Sequence, residues 1–267
     1  MAAIFLSPHY DDVALSCGGT VALLADRGKD TTVVTIFGGE VIDDVLGDFA
    51  RWKHSRWGLN DMDAVREQRQ AEDAAATATL GAGTRWLGFP DAIYRGDRYL
   101  ADPELYGEVR DAERPLADMV SGEIQSLPEW RSDATIYVPL AAGEHVDHQL
   151  VFMAGQVLAR SGARVLAYED CPYAIHSPAG LDRRVAELAR ALGQPELVPV
   201  AATLERRLGA IAAYSTQVPV IFRFTHDFRE SVIEFANRLV PEQGPMERFW
   251  PVLPVANMVM ASSAKLD

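Results

Sequence analysis

Ser7-Pro8-His9-Tyr10-Asp11-Asp12 follows a short apolar run, Ala2-Ala3-Ile4-Phe5-Leu6, that reads as a first β-strand over residues 3–7. Behind it, Ala14, Leu15, Val21, Leu23 and Leu24 fall three and four apart, the spacing of a helix over roughly 13–27 that Gly28 ends. Thr31-Thr32-Val33-Val34-Thr35-Ile36-Phe37 is a β-branched run of strand length, broken by Gly38-Gly39. Strand, helix and strand in this order open a doubly wound, mostly parallel sheet. A histidine and two aspartates then stand at the carboxyl end of a buried strand, where open α/β sheets bind ligands. His9 and Asp12 offer donors that suit Zn²⁺ or Fe²⁺, and such a site needs a third ligand. Gly143-Glu144-His145-Val146-Asp147-His148 can supply it, again just after a strand-like run at 134–139.

The remainder of the chain extends the same alternation. Residues 40–62 read as an irregular connection holding Trp52, His54 and Trp57, and two tryptophans there suit a flap over the crevice, or equally a packed surface loop. Helix is expected at 63–80, stopped by Gly81, and a short strand at 85–89. Residues 92–108 show little periodicity; a helix is expected at 115–126, an amphipathic one after His148, a strand at 163–168, and helices near 180–192 and 203–214. The last 50 residues are mixed in pattern. Together this is an α/β, Rossmann-like fold with helices on both faces of the sheet, read as one domain over 1–267.

The formal net charge of −13 disfavours nucleic acid and anionic membrane surfaces, since both need a basic face. Cys17 and Cys171 make no disulfide framework, which fits a reducing, cytoplasmic setting. Neither a signal peptide nor a stretch of 18 apolar residues is evident.

Pro-His-x-Asp-Asp near the start with His-x-Asp-His near the middle resembles the zinc-dependent N-acetylglucosaminyl deacetylase family, the group of phosphatidylinositol-glycan class L and LmbE-like proteins. Arg69-Gln70-Ala71-Glu72 and Gly88-Phe89-Pro90-Asp91 resemble two further family segments. Within the family, the segments Trp57-Gly58-Leu59, Asp91-Ala92-Ile93-Tyr94-Arg95 and Tyr168-Glu169-Asp170-Cys171-Pro172-Tyr173 are most similar to sugar deacetylases of glycopeptide-antibiotic biosynthesis. The chain departs from the commonest family pattern, His-Pro-Asp-Asp-Glu, in carrying Tyr10 and Val13.

The resemblance implies a metal-dependent N-deacetylase that frees an amine from an N-acyl amino sugar or its conjugate. It implies His9, Asp12 and His148 as ligands of Zn²⁺, with Fe²⁺ as the other metal the donors allow, and Asp11 as general base. His145 matches a position that stabilises the oxyanion or protonates the leaving amine, and Asp147 would set a histidine's tautomer from behind. Arg69 and Asp91 match substrate positions; aromatic faces at Trp52 and Trp57 suit sugar rings. Simpler readings exist for each: adjacent aspartates cap helices, and Arg69 could pair with Glu72 on its own helix. Gly18-Gly19 reads as allowing close packing near the site, and His54, His176 and His226 carry no assigned role. A non-haem Fe²⁺ oxygenase also uses two histidines and a carboxylate, and a non-catalytic sugar-binding module could keep the fold, although it would not need Asp11. A small-molecule substrate is expected, and the oligomeric state is left open.

Overall fold

The structure, a computed structural model, describes residues 2–39, 46–58, 62–225 and 227–255. Seven strands form one sheet: β1 (Ala2–Ser7), β2 (Asp30–Thr35), β3 (Gly83–Trp86), β4 (Thr135–Pro139), β5 (Arg164–Tyr168), β6 (Glu196–Pro199) and β7 (Met246–Pro251). Their order is β3-β2-β1-β4-β5-β7-β6. The first five in that order pair in parallel, whereas β7 runs antiparallel to both β5 and β6.

Side chains of a strand alternate between faces, and β1 divides accordingly. Ile4 and Leu6 join Val34, Ile136 and Val138 under the helices Pro115–Ser126 and Val146–Arg160. Ala3 and Phe5 join Val33 and Tyr137 on the other face, under α1 (Asp12–Asp26), α3 (Met62–Leu80) and the helix Leu204–Ala213. Burial of each large apolar side chain in these layers contributes roughly 1.5–3 kcal/mol. The helices after β1 and β4, which are neighbours in the sheet, therefore leave to opposite faces. Their first turns diverge, and the carboxyl ends of these two strands open a crevice.

α1 is broken at Cys17, whose φ of −144° and ψ of 25° leave the helical region. The break frees backbone groups that the last third of the chain takes up. Glu247 of β7 accepts from the N–H groups of Gly19 (2.9 Å) and Thr20 (2.7 Å), and Arg207 donates to the Leu15 carbonyl (2.5 Å). Arg207 and Glu247 also pair with each other at 3.1 Å, both fully enclosed. A Cβ at Gly19 would lie 2.7 Å from the Glu247 carboxylate, so the glycine is what allows this approach. The Gly18-Gly19 pair thus serves close packing, against the C-terminal segment.

Two connections differ from expectation. The stretch expected as irregular over 40–62 contains a helix, α2 (Asp48–Arg56); its parts at 40–45 and 59–61, Leu59 among them, lie outside the described residues. α2 has Asp48 in its first turn and Lys53 and Arg56 in its last, charges that complement the helix dipole. Its weak apolar periodicity hid it from a pattern search. The edge strand expected at 85–89 instead runs Gly83–Trp86. β6 and β7 fall in the C-terminal part of the chain, where the pattern is mixed; His226 and residues 256–267 are outside the described residues.

Candidate metal centre and active site

His9, Asp11 and Asp12 occupy the turn from β1 into α1, and His145, Asp147 and His148 the turn from β4 into the helix Val146–Arg160. The second turn is tightly constrained: Ala141 and Glu144 take positive φ (61° and 59°), and Gly143 lies against the Tyr173 ring so closely that a Cβ would fall 2.2 Å from it. Only glycine fits there.

Asp12 Oδ2 lies 3.3 Å from His9 Nδ1 and 3.3 Å from His148 Nε2, and the three donors form one compact group. His148 Nε2 is buried and has no hydrogen-bond partner, an orphaned donor site facing a carboxylate. The opposite nitrogen of each histidine meets a fully buried carboxylate: His9 Nε2 lies 3.0 Å from Asp147 Oδ2, and His148 Nδ1 lies 2.7 Å from Asp170 Oδ1. With those nitrogens protonated, His9 Nδ1 and His148 Nε2 present lone pairs to the same point, the arrangement that backs metal-binding histidines. Two imidazoles and a carboxylate fit a divalent ion of the zinc or iron kind.

Electrostatics follow from this crowding. Burial works to lower His148, but Asp12 and Asp170 outweigh it and raise its pKa to about 9. His9 is likewise raised against its burial by Asp91, Asp12 and Asp147. Asp12 resists burial through His148 and His9 and sits well below the usual carboxylate range. Asp147 is held low too, chiefly by Arg95, whose guanidinium reaches Asp147 Oδ1 at 2.7 Å.

Asp11 stands beside the group without joining it. Burial raises its pKa, the Arg69 cation 3.6 Å away opposing and Asp12 reinforcing the shift. His145 is driven low by burial and by His9, so its ring is neutral. Its Nδ1 accepts from the Asp147 backbone N–H at 3.2 Å, which leaves the ring proton on Nε2 as a free donor.

A cleft open to solvent adjoins His9 and is lined by Tyr10, Phe37, Trp57, Arg69, Asp91 and Tyr94 among others. The Arg69 guanidinium lies between the rings of Tyr10 (5.3 Å) and Trp57 (5.2 Å). It turns to Asp11, while Glu72 accepts from Ser215, Thr216 and Gln68, so the pairing within α3 is not formed. Asp91 Oδ2 is 3.7 Å from His9 Nε2. Of the two tryptophans, Trp57 lines the cleft; Trp52 is 44% exposed, stacks on Phe49 and stands away from it.

Sequence reasoning quotes Arg95, Asp170 and Tyr173 within deacetylase-like segments but gives them no role, and does not mark Tyr106. Asp170 follows the end of β5, the same structural position as the two motifs, and that position was the available signal. Tyr106 packs edge-on to His145 at 5.3 Å and lies on a segment without periodicity, so nothing in the sequence marked it.

An α/β sheet with a paired His/Asp centre at diverging strand ends defines a metallohydrolase-like scaffold. The chain belongs to the PIG-L family, described as GlcNAc-PI de-N-acetylase, whose profile matches residues 4–159. It is 32% identical to the 2'-N-acetylparomamine deacetylase of Niallia circulans over 64% of this chain and 67% of that protein. Among solved structures it is similar to the A40926 pseudoaglycone deacetylase Dbv21, with 30% identity, a TM-score of 0.80 and coverage of 96% of this chain and 99% of that one. It is also similar to the zinc-inhibited form of teicoplanin deacetylase Orf2, with 26% identity, a TM-score of 0.83 and coverage of 97% and 100%. All three relatives are deacetylases. Among the described residues, no helix is long and apolar enough to cross a membrane.

Proposed function

We propose that this chain, acting as one domain in the cytoplasm, hydrolyses the N-acetyl amide of an amino sugar carried on a larger antibiotic-like conjugate. The relatives' substrates, an aminoglycoside and glycopeptides, support that class. His9, Asp12 and His148 would hold the divalent metal, Zn²⁺ or Fe²⁺. When bound, such an ion lowers the pKa of water and polarises an amide carbonyl.

The chain's own groups do the rest. Asp11, made more basic by burial, takes the proton from the attacking water. His145 Nε2–H donates to the oxygen of the carbonyl as negative charge develops there. The proton held by Asp11 then passes to the nitrogen as the C–N bond breaks, giving the free amine and acetate. Asp147 and Asp170 fix the two ligand histidines, and Arg69 and Asp91 meet sugar hydroxyls from the cleft wall.

The observation that carries this reading is the orphaned, buried His148 Nε2 converging with His9 Nδ1 on Asp12, with Asp11 beside them. Release of amine and acetate from a panel of N-acetylglucosamine conjugates tests it. Asp11→Asn is expected to retain metal and lose about 10²–10⁴-fold in kcat. A variant that loses its metal yet turns over normally once metal is restored would reverse the roles of Asp11 and Asp12.

A further inference from the structure

His54 has no part in the mechanism above, yet α2 places it 1% exposed behind the cleft wall. Its Nε2 lies 2.5 Å from the Tyr94 hydroxyl, and the two rings meet edge-to-face at 5.6 Å. Trp57 covers its other side at 5.2 Å. The remaining nitrogen, Nδ1, is buried with no hydrogen-bond partner. Tyr94 itself lines the cleft with His9, Arg69 and Asp91.

The bare nitrogen decides which way the bond runs. If Tyr94 donated to His54, the imidazole proton would sit on Nδ1 as a buried N–H with no acceptor, a rare and costly state. If His54 Nε2–H donates to the Tyr94 oxygen, Nδ1 keeps only an unused lone pair. Burial and the nearby Arg69 cation both disfavour a charged imidazole, so the ring does not carry both protons. In the second arrangement the phenol proton of Tyr94 is unspent and free for a ligand.

We infer that Tyr94 is a specificity-determining residue that donates a hydrogen bond to a hydroxyl oxygen of the sugar in the cleft, and that His54 is its positioning residue. The inference rests on the sugar-deacetylase reading and extends it to a contact that the sequence motifs did not assign. It also accounts for α2, since the helix that follows the second strand carries the group that aims a substrate donor.

The test uses the metal-loaded chain of residues 1–267. N-acetylglucosamine serves as the turnover probe, and glucosamine, the product amine, as a binding probe by calorimetry. Tyr94→Phe removes one oxygen and should raise KM about 5-fold with a smaller change in kcat, and weaken glucosamine to a similar extent. His54→Ala should give the same shift, and the double variant should be no worse than either single one, because the two act as a unit. His54→Gln retains a donor amide, should restore part of the effect, and guards against a fold defect in the alanine variant. Equal KM and equal glucosamine affinity in Tyr94→Phe would overturn the inference while leaving deacetylation intact. So would a His54→Ala variant that only melts earlier, or one whose effect adds to that of Tyr94→Phe. Failure of the wild type to release amine while binding glucosamine in a Tyr94-dependent way would instead reject the deacetylase reading alone.

Discussion

Asp170→Asn should uncouple metal binding from folding. Asp170 is fully buried and uses both oxygens: Oδ1 meets His148 Nδ1 at 2.7 Å, and Oδ2 accepts from the Ala142 N–H at 3.1 Å. Asparagine has one acceptor and one donor in the same outline. If its oxygen faces His148, its NH₂ confronts the Ala142 N–H. If it is turned round, its NH₂ donates to His148 Nδ1 and forces the imidazole proton onto Nε2, the atom that faces Asp12. Either way the charge-assisted bond, worth about 1.5–3 kcal/mol, becomes at best a neutral one of about 1 kcal/mol. That difference, about 0.5–2 kcal/mol or about 2–30-fold, overlaps the range of about 10–100-fold general for carboxylates behind metal-binding histidines at a loss of about 10–30-fold in metal affinity. Competition of Zn²⁺ between the protein and a calibrated chelator measures it, with circular dichroism recording that the sheet is intact. A folded Asp170→Asn that binds Zn²⁺ as the wild type does would refute the view that Asp170 sets the His148 tautomer.

Three other outcomes are expected. Asp73 accepts from Trp86, Tyr214 and Thr35 but is so enclosed that burial raises its pKa to about 6 from 3.8; the folded state therefore holds its proton more tightly, and this site contributes stability that is full below pH 4 and is lost as pH rises to about 6. Asp73→Asn cannot ionise, so its unfolding free energy relative to wild type should improve by roughly 2–2.5 kcal/mol between pH 4 and 7 in urea titrations, and a constant difference would show that Asp73 does not titrate there. Trp57→Ala should raise KM for an N-acetylglucosamine conjugate by several-fold, whereas Trp52→Ala should leave it near wild type, as steady-state kinetics will show. Glu247→Ala leaves Arg207 buried and unpaired and should destabilise the chain by about 3–5 kcal/mol, read as a melting point lower by on the order of 10 °C.

Much of the site was legible because it sits where chain pattern and chemistry coincide. An apolar run followed by His-x-x-Asp fixes a strand end and a donor pair at once, and the second histidine motif repeats the arrangement after β4. The groups that escaped are those whose role depends on contacts distant in sequence. Asp170 resembles any acidic residue after a strand until the fold brings it 2.7 Å from His148. His54 gave no spacing signal, because its partner is 40 residues on, across a helix that charge rather than apolar periodicity announces. β6 and β7 are four and six residues long and end the sheet antiparallel, so no alternation of strand and helix foretold them. Trp52 and Trp57 show the limit most directly: five residues apart, they point to different surroundings, and only packing decides which one meets the cleft.

The break in α1 has a bearing on how this protein can be cut and recombined. The motif residues end by Tyr173, and the family profile ends at residue 159, so a designer would be tempted to treat the first 175 residues as a portable module. The helix that begins with Asp12 is nevertheless completed from outside that span, by Arg207 and Glu247 filling the gap at Cys17. A fragment stopping at 175 would leave its leading helix with two stranded amides and a stranded carbonyl at the break. Supplying residues 176–267 as a separate polypeptide would be the way to make it whole, and swaps between relatives would have to exchange Gly19, Arg207 and Glu247 together.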